Sequence, residues 1–175
     1  IRLFEIGQCF PASEEDLTHY ETKCAGLICG DRYETNWSNP HERTDFYDLK
    51  GDVESILNAL VGEKNYQFCA KSFEFFHPGQ SAQILINDEV VGVLGNLHPS
   101  LANEFGFKQS VYLFDINLGS IDAKSETQFT TLSKFPEVKR DLSFMLDQTV
   151  NASDLLDVVR SASGKYLTDL KLFDV

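Results

Sequence analysis

The sequence predicts an α+β fold for this 175-residue chain, on three observations. Apolar, β-branched runs alternate with short connections rich in Asn, Asp or Gly, which is typical of antiparallel strands. One longer stretch carries apolar residues at three- and four-residue steps, which indicates an amphipathic helix. After a polar segment, the last part of the chain has a strand–helix–strand pattern, which indicates a second domain. The 42% hydrophobic content is sufficient for a sizeable core.

The clearest strand signal is a hairpin within residues 75–99. Apolar runs at 84–86 and 90–94 flank the dipeptide Asn87-Asp88, a short connection that favours a tight turn. A His-Pro pair stands at each end, with His77 before the hairpin and His98 after it. Proline disfavours helical backbone in the preceding residue, so both histidines are expected in extended conformation.

Two apolar runs near the start of the chain predict strands at Arg2–Phe10 and Cys24–Gly30, separated by a polar loop over 12–22. The glycines of the second run indicate close backbone approach. A long polar connection, Asp31–Thr44, follows and contains Trp37, the only tryptophan. Connections of this length often carry function.

A helix is predicted over Asp45–Val61, with Asp45 as its cap, Asp48 in its first turn and Gly62 at its end. The apolar positions Leu49, Val53, Ile56, Leu57 and Leu60 lie on one face. Gly51 is unfavourable inside a helix by about 1 kcal/mol, which predicts a neighbour packed closely against it.

Later elements follow the same rules. A short helix is predicted at Pro99–Phe105, with proline near its first position, and a strand at Val111–Leu118. Strands at Asp141–Leu146 and Leu167–Val175, with a helix opening at Asn151 between them, would form half of a ferredoxin-like β-α-β-β-α-β unit.

These elements divide the chain into a domain over 1–122, a linker over 123–132 that is rich in Ser, Thr and Lys, and a truncated domain over 133–175. The chain begins without Met and stops within an apolar run, so both ends are expected to be cut from a longer protein.

Composition excludes several classes of protein. Residues 1–123 contain 8 Lys and Arg against 19 Asp and Glu, a poor composition for binding phosphates, whereas residues 124–175 contain 7 against 8. No apolar run reaches the ~18 residues that span a bilayer. The four cysteines form no C-x-x-C pair, which favours reduced thiols and a cytoplasmic protein.

No phosphate-loop, zincin or hydrolase motif is present in the sequence. A composite metal or acid–base site is conceivable from three histidines and two carboxylates, namely His41, Asp45, Asp48, His77 and His98. The alternative, which we favour, is that the carboxylates cap the helix and the histidines bond backbone groups at strand ends. Five cations are candidates for an RNA-facing surface: Lys134, Lys139, Arg140, Lys165 and Lys171.

Seven motifs occur in an order that resembles the bacterial-type β chain of phenylalanine–tRNA ligase over nearly the whole chain. They are FEIG (Phe4–Gly7), AGLICG (Ala25–Gly30), Trp37 with DFYDLKGDVE (Asp45–Glu54), HPGQSA (His77–Ala82), GVLGNLHP (Gly92–Pro99), SKFPEVKRDLSF (Ser133–Phe144) and LFDV (Leu172–Val175).

The resemblance implies that residues 1 to about 122 form a module related to the class II synthetase core, an antiparallel sheet flanked by helices that is catalytically silent. Residues 133–175 would begin a ferredoxin-fold anticodon-binding domain. The implied enzyme is an (αβ)2 tetramer in which the α chain joins phenylalanine to tRNA(Phe) with ATP and Mg2+. The residues agree with a catalytically silent module. The class II arginines that hold the ATP phosphates are absent: Leu3 replaces the Arg of the Arg-x-Glu motif that would end at Glu5, and the strand Val111–Leu118 has no arginine.

We therefore expect no catalytic residue, no metal ligand and no cofactor in this chain itself. Candidate contacts with the α chain are Trp37, Asp45, Phe46, Asp48, Lys50, His77 and His98. The basic residues of the last domain are candidates for tRNA contact. Two alternatives remain open from the residues alone: a free-standing metal-dependent enzyme that uses the His/Asp site, and an isolated RNA-binding module.

Overall fold

The computed structural model describes residues 1–10, 20–34, 36–39, 41–62, 65–122 and 134–173. The chain divides into two compact units, Ile1–Gln128 and Phe129–Val175. The predicted linker 123–132 and most of the predicted loop 12–22 lie outside the described residues. In the described part of the chain, no helix has both the length and the apolar character needed to cross a membrane.

The first unit is built on a six-stranded antiparallel sheet with the order β1-β2-β6-β5-β4-β3. The strands are β1 (Arg2–Cys9), β2 (Glu21–Cys29), β3 (Gln67–Ala70), β4 (Phe76–Ile86), β5 (Glu89–Leu97) and β6 (Val111–Asn117). Two helices belong to this unit, α1 (Phe46–Val61) and α2 (Pro99–Glu104). Each strand and helix predicted before residue 120 is present, and two short described elements were not predicted from the sequence, the edge strand β3 and a 3-10 helix at Leu118–Ser120.

The central hairpin is β4–β5, and the predicted turn is confirmed. Asn87 and Asp88 both have positive φ angles, 52° and 65°, as a two-residue hairpin turn with the twist of the flanking strands requires. The pairing of Ile86 with Glu89 closes this turn, and an irregularity follows between Ile84 and Leu85.

Helix α1 begins where the sequence predicts. The Asp45 side chain accepts hydrogen bonds from the backbone N–H groups of Tyr47 and Asp48, and the Asp48 carboxylate accepts one from the Asp45 N–H. This reciprocal capping box satisfies N–H groups that would otherwise have no partner at the helix start. Gly62, with a φ of 82°, ends the helix.

The core lies between α1 and one face of the sheet. Leu49, Val53, Leu57 and Val61 form the buried face of the helix. They share one apolar cluster with alternate residues of the strands, among them Cys24, Ile28, Ala82, Ile84, Leu94, Tyr112, Phe114 and Ile116. The antiparallel register places these alternate residues on a single face, because successive side chains of a strand point to opposite sides.

Glycines permit close packing within the sheet, as the sequence indicated. A Cβ atom at Gly26 would lie 2.5 Å from the Phe114 ring, and one at Gly92 would lie 2.6 Å from the Asp115 carbonyl oxygen. The expectation for Gly51 is wrong within this chain, since an added Cβ there would meet no atom within 4 Å. Gly51 lies on the part of α1 that faces away from the core, where the helical pattern alone could not tell open space from a packed neighbour.

The second unit contains one α-helix in its described residues, α3 (Ala152–Ser163), which follows Asn151 as predicted. The two flanking strands are not formed: residues 141–147 and 167–173 are neither helix nor strand, and residues 174 and 175 lie outside the described part. A strand requires a hydrogen-bonded neighbour, and residues 134–173 offer none. The apolar side chains of Leu142 and Phe144 are accordingly exposed.

Candidate functional site

In the connection between β2 and α1, the described residues nearest the two elements are hydrogen-bonded to each other. The Arg32 N–H donates to the Glu42 carbonyl at 2.8 Å, and Asp31 and Arg43 form an isolated antiparallel bridge. At the base, the Gly30 carbonyl accepts from both the backbone N–H and the hydroxyl of Thr44, at 2.9 and 3.0 Å. The two sides of the loop are therefore held together as a short hairpin-like stem.

Arg32 joins this stem to the start of α1. Its guanidinium lies 2.8 Å from the Asp48 and Glu42 carboxylates and 3.5 Å from that of Asp45. The hydrogen bond to Asp48 opposes deprotonation and raises the pKa of Arg32 above its already high ordinary value. The sequence analysis did not single out Arg32, because its role depends on three carboxylates that only the folded loop brings together.

Trp37 lies at the tip of the loop, in a turn formed by Asn36–Asn39. The Asn36 Oδ1 atom accepts hydrogen bonds from the backbone N–H groups of Ser38 and Asn39, at 2.9 and 3.0 Å. The Asn36 N–H donates to the Asn39 carbonyl at 3.2 Å. The Trp37 side chain is 99% exposed. An ordered turn thus presents an indole almost entirely to solvent.

The two His-Pro corners have local roles. His77 lies in β4 and His98 caps α2, both in extended backbone as predicted. The Nδ1 atom of His77 accepts from the Gly79 N–H at 3.2 Å, and that of His98 accepts from the Ser100 N–H at 3.3 Å. The His98 ring therefore caps the start of α2, and the His77 ring bonds the backbone at the irregularity between Phe76 and Ser81 in β4, which agrees with the backbone-bonding interpretation of these residues.

The composite His/Asp site is not assembled in the described part of the chain. Asp45 and Asp48 cap α1 and pair with Arg32, while His41 lies 3.1 Å from Asp31. A search of the described residues finds no group of three or more His, Cys, Asp or Glu side chains placed to hold a metal ion. The geometry thus supports the capping interpretation of these carboxylates.

The two cysteines that are closest in the sequence, Cys24 and Cys29, lie on opposite faces of the sheet. Cys24 and Cys29 lie on β2 an odd number of positions apart, so their side chains point to opposite faces. Cys24 faces the core, where burial raises the pKa of its thiol and the nearby Asp115 carboxylate adds to the shift. Both effects disfavour the thiolate, which is the form that binds metals.

Phe46 and Lys50, the remaining interface candidates on α1, both contact this chain. Phe46 packs partly buried against the core cluster. Lys50 pairs with Glu54, one turn further along the helix, and its ammonium lies 4.6 Å from the centroid of the Phe68 ring. Among the seven interface candidates, Trp37 is the one whose side chain is nearly fully exposed.

The face of the sheet opposite α1 carries more negative than positive charge. Glu5, Ala25 and Asp115 pair across β1, β2 and β6, so their side chains form a row on this face. Lys23, in the next row, lies 3.5 Å from Glu21 and 3.6 Å from Asp115. Burial opposes the charged ammonium, but Asp115 and Glu21 outweigh this effect, so the pKa of Lys23 is raised.

A groove of about 460 Å³ lies beside β1, lined by Ile1, Arg2 and residues 31–34. Its two arginines are already paired: Arg2 donates to both carboxylate oxygens of Asp52, at 2.8 and 2.9 Å, and Arg32 binds three carboxylates. The residues of this groove and of the open sheet face therefore do not fit a triphosphate, which is bound by unpaired cations and N–H donors.

The five candidate tRNA-contact residues are all exposed in the second unit. Lys134, Lys139 and Arg140 precede the turn at residues 148–150 in a segment without helix or strand. Lys165 lies in a short 3-10 helix, with its ammonium 5.2 Å from the Tyr166 ring centroid, and Lys171 follows it.

Two known protein families match this chain, one in each part. Residues 1–118 match the family described as phenylalanyl tRNA synthetase beta chain CLM domain. Residues 133–175 match the family described as ferredoxin-fold anticodon binding domain. Together with the antiparallel sheet and its helices, these matches confirm the predicted α+β fold class and the ferredoxin-like character of the second part.

Curated relatives match along the whole chain. The phenylalanine–tRNA ligase beta subunit of Pseudomonas syringae pv. tomato is 38% identical over 175 residues, which is 100% of this chain and 22% of the relative. The corresponding subunits of Pseudomonas fluorescens and Methylococcus capsulatus are each 39% identical over the same length and share. The chain thus spans about a fifth of the length of these relatives.

Among solved structures, a pyrrolysyl-tRNA synthetase from Desulfitobacterium hafniense is similar, with a TM-score of 0.48 and 16% sequence identity over 67% of this chain and 38% of that one. A likeness this weak says nothing about function.

The two family matches indicate the class of protein, namely components of aminoacyl-tRNA synthetases. Within that class, the chain belongs to the phenylalanyl-tRNA synthetase beta chain family.

Proposed function

We propose that this chain is a non-catalytic region of a phenylalanine–tRNA ligase β chain that supports the α chain and tRNA binding. The complete enzyme would be a cytoplasmic (αβ)2 tetramer that joins phenylalanine to tRNA(Phe) with ATP and Mg2+. The observation that carries the proposal is the pair of family matches, in order, over residues 1–118 and 133–175.

The division of labour follows from the same matches. Residues 1–122 would form the silent synthetase-like domain, residues 123–132 the linker, and residues 133–175 the start of the anticodon-binding domain. The paired arginines and the carboxylates of the open sheet face support a silent first domain, because a class II active site needs free guanidinium groups for the phosphates of ATP.

The contact surface with the α chain would centre on the loop of residues 31–45 and the start of α1. Asp45, Phe46, Asp48 and Lys50 would act there by fixing the loop and helix rather than by direct contact, since each has partners within this chain. His77 and His98 would fix the backbone at the two ends of the hairpin. The five exposed cations of the second unit would approach tRNA in the complete enzyme.

Co-purification tests this proposal directly. We expect the tagged chain, co-expressed with the α chain of the same organism, to retain the α chain through affinity and size-exclusion steps at a fixed molar ratio. The control is the same tag on an unrelated acidic domain of similar size. An α chain that elutes with the control, or a tagged chain that elutes alone, would contradict the proposal.

ATP binding offers a second test, independent of the partner. In isothermal titration of the chain with ATP and Mg2+, we expect no saturable heat, because Arg2 and Arg32 are paired with carboxylates and Glu5 and Asp115 repel phosphates. A catalytically active α chain with a phenylalanine adenylation assay provides the positive control. Saturable micromolar binding by this chain would show that the first domain is not silent.

A further inference from the structure

Trp37 is the most exposed aromatic residue in the described part of the chain, and it lies in a hydrogen-bonded turn. Trp37 is 99% exposed, yet the turn that carries it is closed by three hydrogen bonds, two of them to the Asn36 side chain. A tryptophan so exposed on a hydrogen-bonded turn is a candidate contact residue, because tryptophan is among the residues most enriched at the centres of protein interfaces.

The stem beneath the turn is built to hold its direction. Arg32 links the stem to α1 through Glu42, Asp45 and Asp48, and Thr44 fixes its base to Gly30. Helix α1 in turn is fixed to the sheet by its buried leucines. The stem is therefore held to α1, and the turn that carries Trp37 is closed by its own hydrogen bonds, so each of these two parts loses little conformational freedom when the indole is bound.

The charge around the turn indicates the kind of partner. Residues 31–45 contain four carboxylates and two guanidinium groups, and the whole chain has a net charge of −12. A nucleic acid would be repelled by this surface, and a second copy of the chain would bring the same negative charge to the contact. A protein pocket bordered by Lys or Arg is complementary in both shape and charge.

We infer that Trp37 is the anchor of the partner interface, and that it inserts into an apolar pocket with a basic border on the α chain. This inference rests on the proposed function for the identity of the partner. It adds which residue provides most of the binding energy, and why the loop before α1 is so heavily cross-linked.

Substitution of the anchor is the first test. Trp37→Ala is expected to weaken binding of the whole 175-residue chain to the purified α chain by at least about 30-fold, as for an interface hot spot. The matched control is Phe105→Ala, which removes another exposed aromatic side chain, 68% exposed and outside the loop. It should leave the affinity unchanged, and neither variant should alter the thermal midpoint.

The turn provides a positioning test that keeps the indole. Asn36→Ala removes the side-chain acceptor of Ser38 and Asn39 and is expected to weaken binding several-fold, whereas Asn36→Asp retains an acceptor and should restore most of the affinity. Equal affinity of the two Asn36 variants and the unsubstituted chain would overturn the idea that the turn presents Trp37.

A spectroscopic test identifies the occupant. Because Trp37 is the only tryptophan, 5-fluorotryptophan incorporated into this chain gives a single ¹⁹F resonance from the turn. We expect that resonance to shift and broaden with the α chain, and to stay unchanged with tRNA alone or on concentrating the chain. A shift with tRNA alone, or with concentration alone, would overturn the inference in favour of a nucleic-acid or self-contact.

The outcomes separate the two proposals. Failure of the unsubstituted chain to bind the α chain contradicts the proposed function and, with it, the choice of partner. Normal binding that Trp37→Ala leaves unchanged overturns the inference about Trp37 alone.

Discussion

Replacement of Leu57 with alanine is expected to lower the free energy of unfolding of the first unit by about 2–5 kcal/mol. Leu57 is fully buried, at 0% exposure, in the cluster where α1 packs on the sheet. The substitution removes apolar contacts and leaves a cavity that close-packed neighbours on strands fill only in part. Urea unfolding followed by far-UV circular dichroism measures the change.

Leu3→Ala is the matched control, because it removes the same atoms from a side chain that is 61% exposed on β1. Its expected effect is within about 0.5 kcal/mol. If the two variants were destabilised equally, α1 would not pack on the sheet as described. A small effect of Leu57→Ala alone would have the same meaning.

Gly92→Ala is expected to destabilise the chain by about 1–3 kcal/mol, although alanine is the smallest possible addition. The new Cβ would lie 2.6 Å from the Asp115 carbonyl oxygen and 3.1 Å from the Ile116 Cα atom. Both are backbone atoms of the neighbouring strand β6, so relief of the clash requires the β5–β6 pairing to shift. Urea unfolding and the loss of amide protection in β5 and β6 by hydrogen exchange measure the effect.

The same substitution at Gly51 should have the opposite sign. A Cβ there meets no atom within 4 Å, and alanine in a helix interior is favoured over glycine by up to about 1 kcal/mol. Gly51→Ala is therefore expected to stabilise the chain. A stabilising Gly92→Ala would mean that β5 and β6 are not paired in the register described.

The parts of the fold that the sequence predicted are those specified by neighbouring residues. Helix α1 has its capping box at Asp45 and Asp48 and its apolar stripe within a few turns, and the β4–β5 hairpin has its turn residues at Asn87 and Asp88. Each of these signals acts over two to four residues, so the linear order contains the information.

The parts that the sequence did not predict depend on distant residues. Strand β3 exists because β4 offers it an edge, and its four residues carry no pattern of their own. The segments at 141–147 and 167–173 have strand-like composition but no neighbour to pair with in the described residues. Local propensity alone does not make a strand.

The candidate site shows the same limit. Trp37 could be singled out because tryptophan in a long polar loop is conspicuous, but its exposure and the turn beneath it required the structure. The role of Arg32 could not be predicted from the sequence, because Glu42, Asp45 and Asp48 come together around it only in the folded loop. His77 and His98 resembled catalytic histidines in the sequence, but each ring accepts a hydrogen bond from the backbone N–H group two residues further along the chain.

The position of Trp37 also determines how this protein can be observed. An indole that is 99% exposed in the folded chain has almost the same watery surroundings after unfolding, so tryptophan emission would change little as the core melts. The six tyrosines include Tyr112, which is buried in the core, and their ultraviolet absorbance would report unfolding instead. Tryptophan emission, which is commonly used to monitor denaturation, would in this chain report contact at one point on the surface instead.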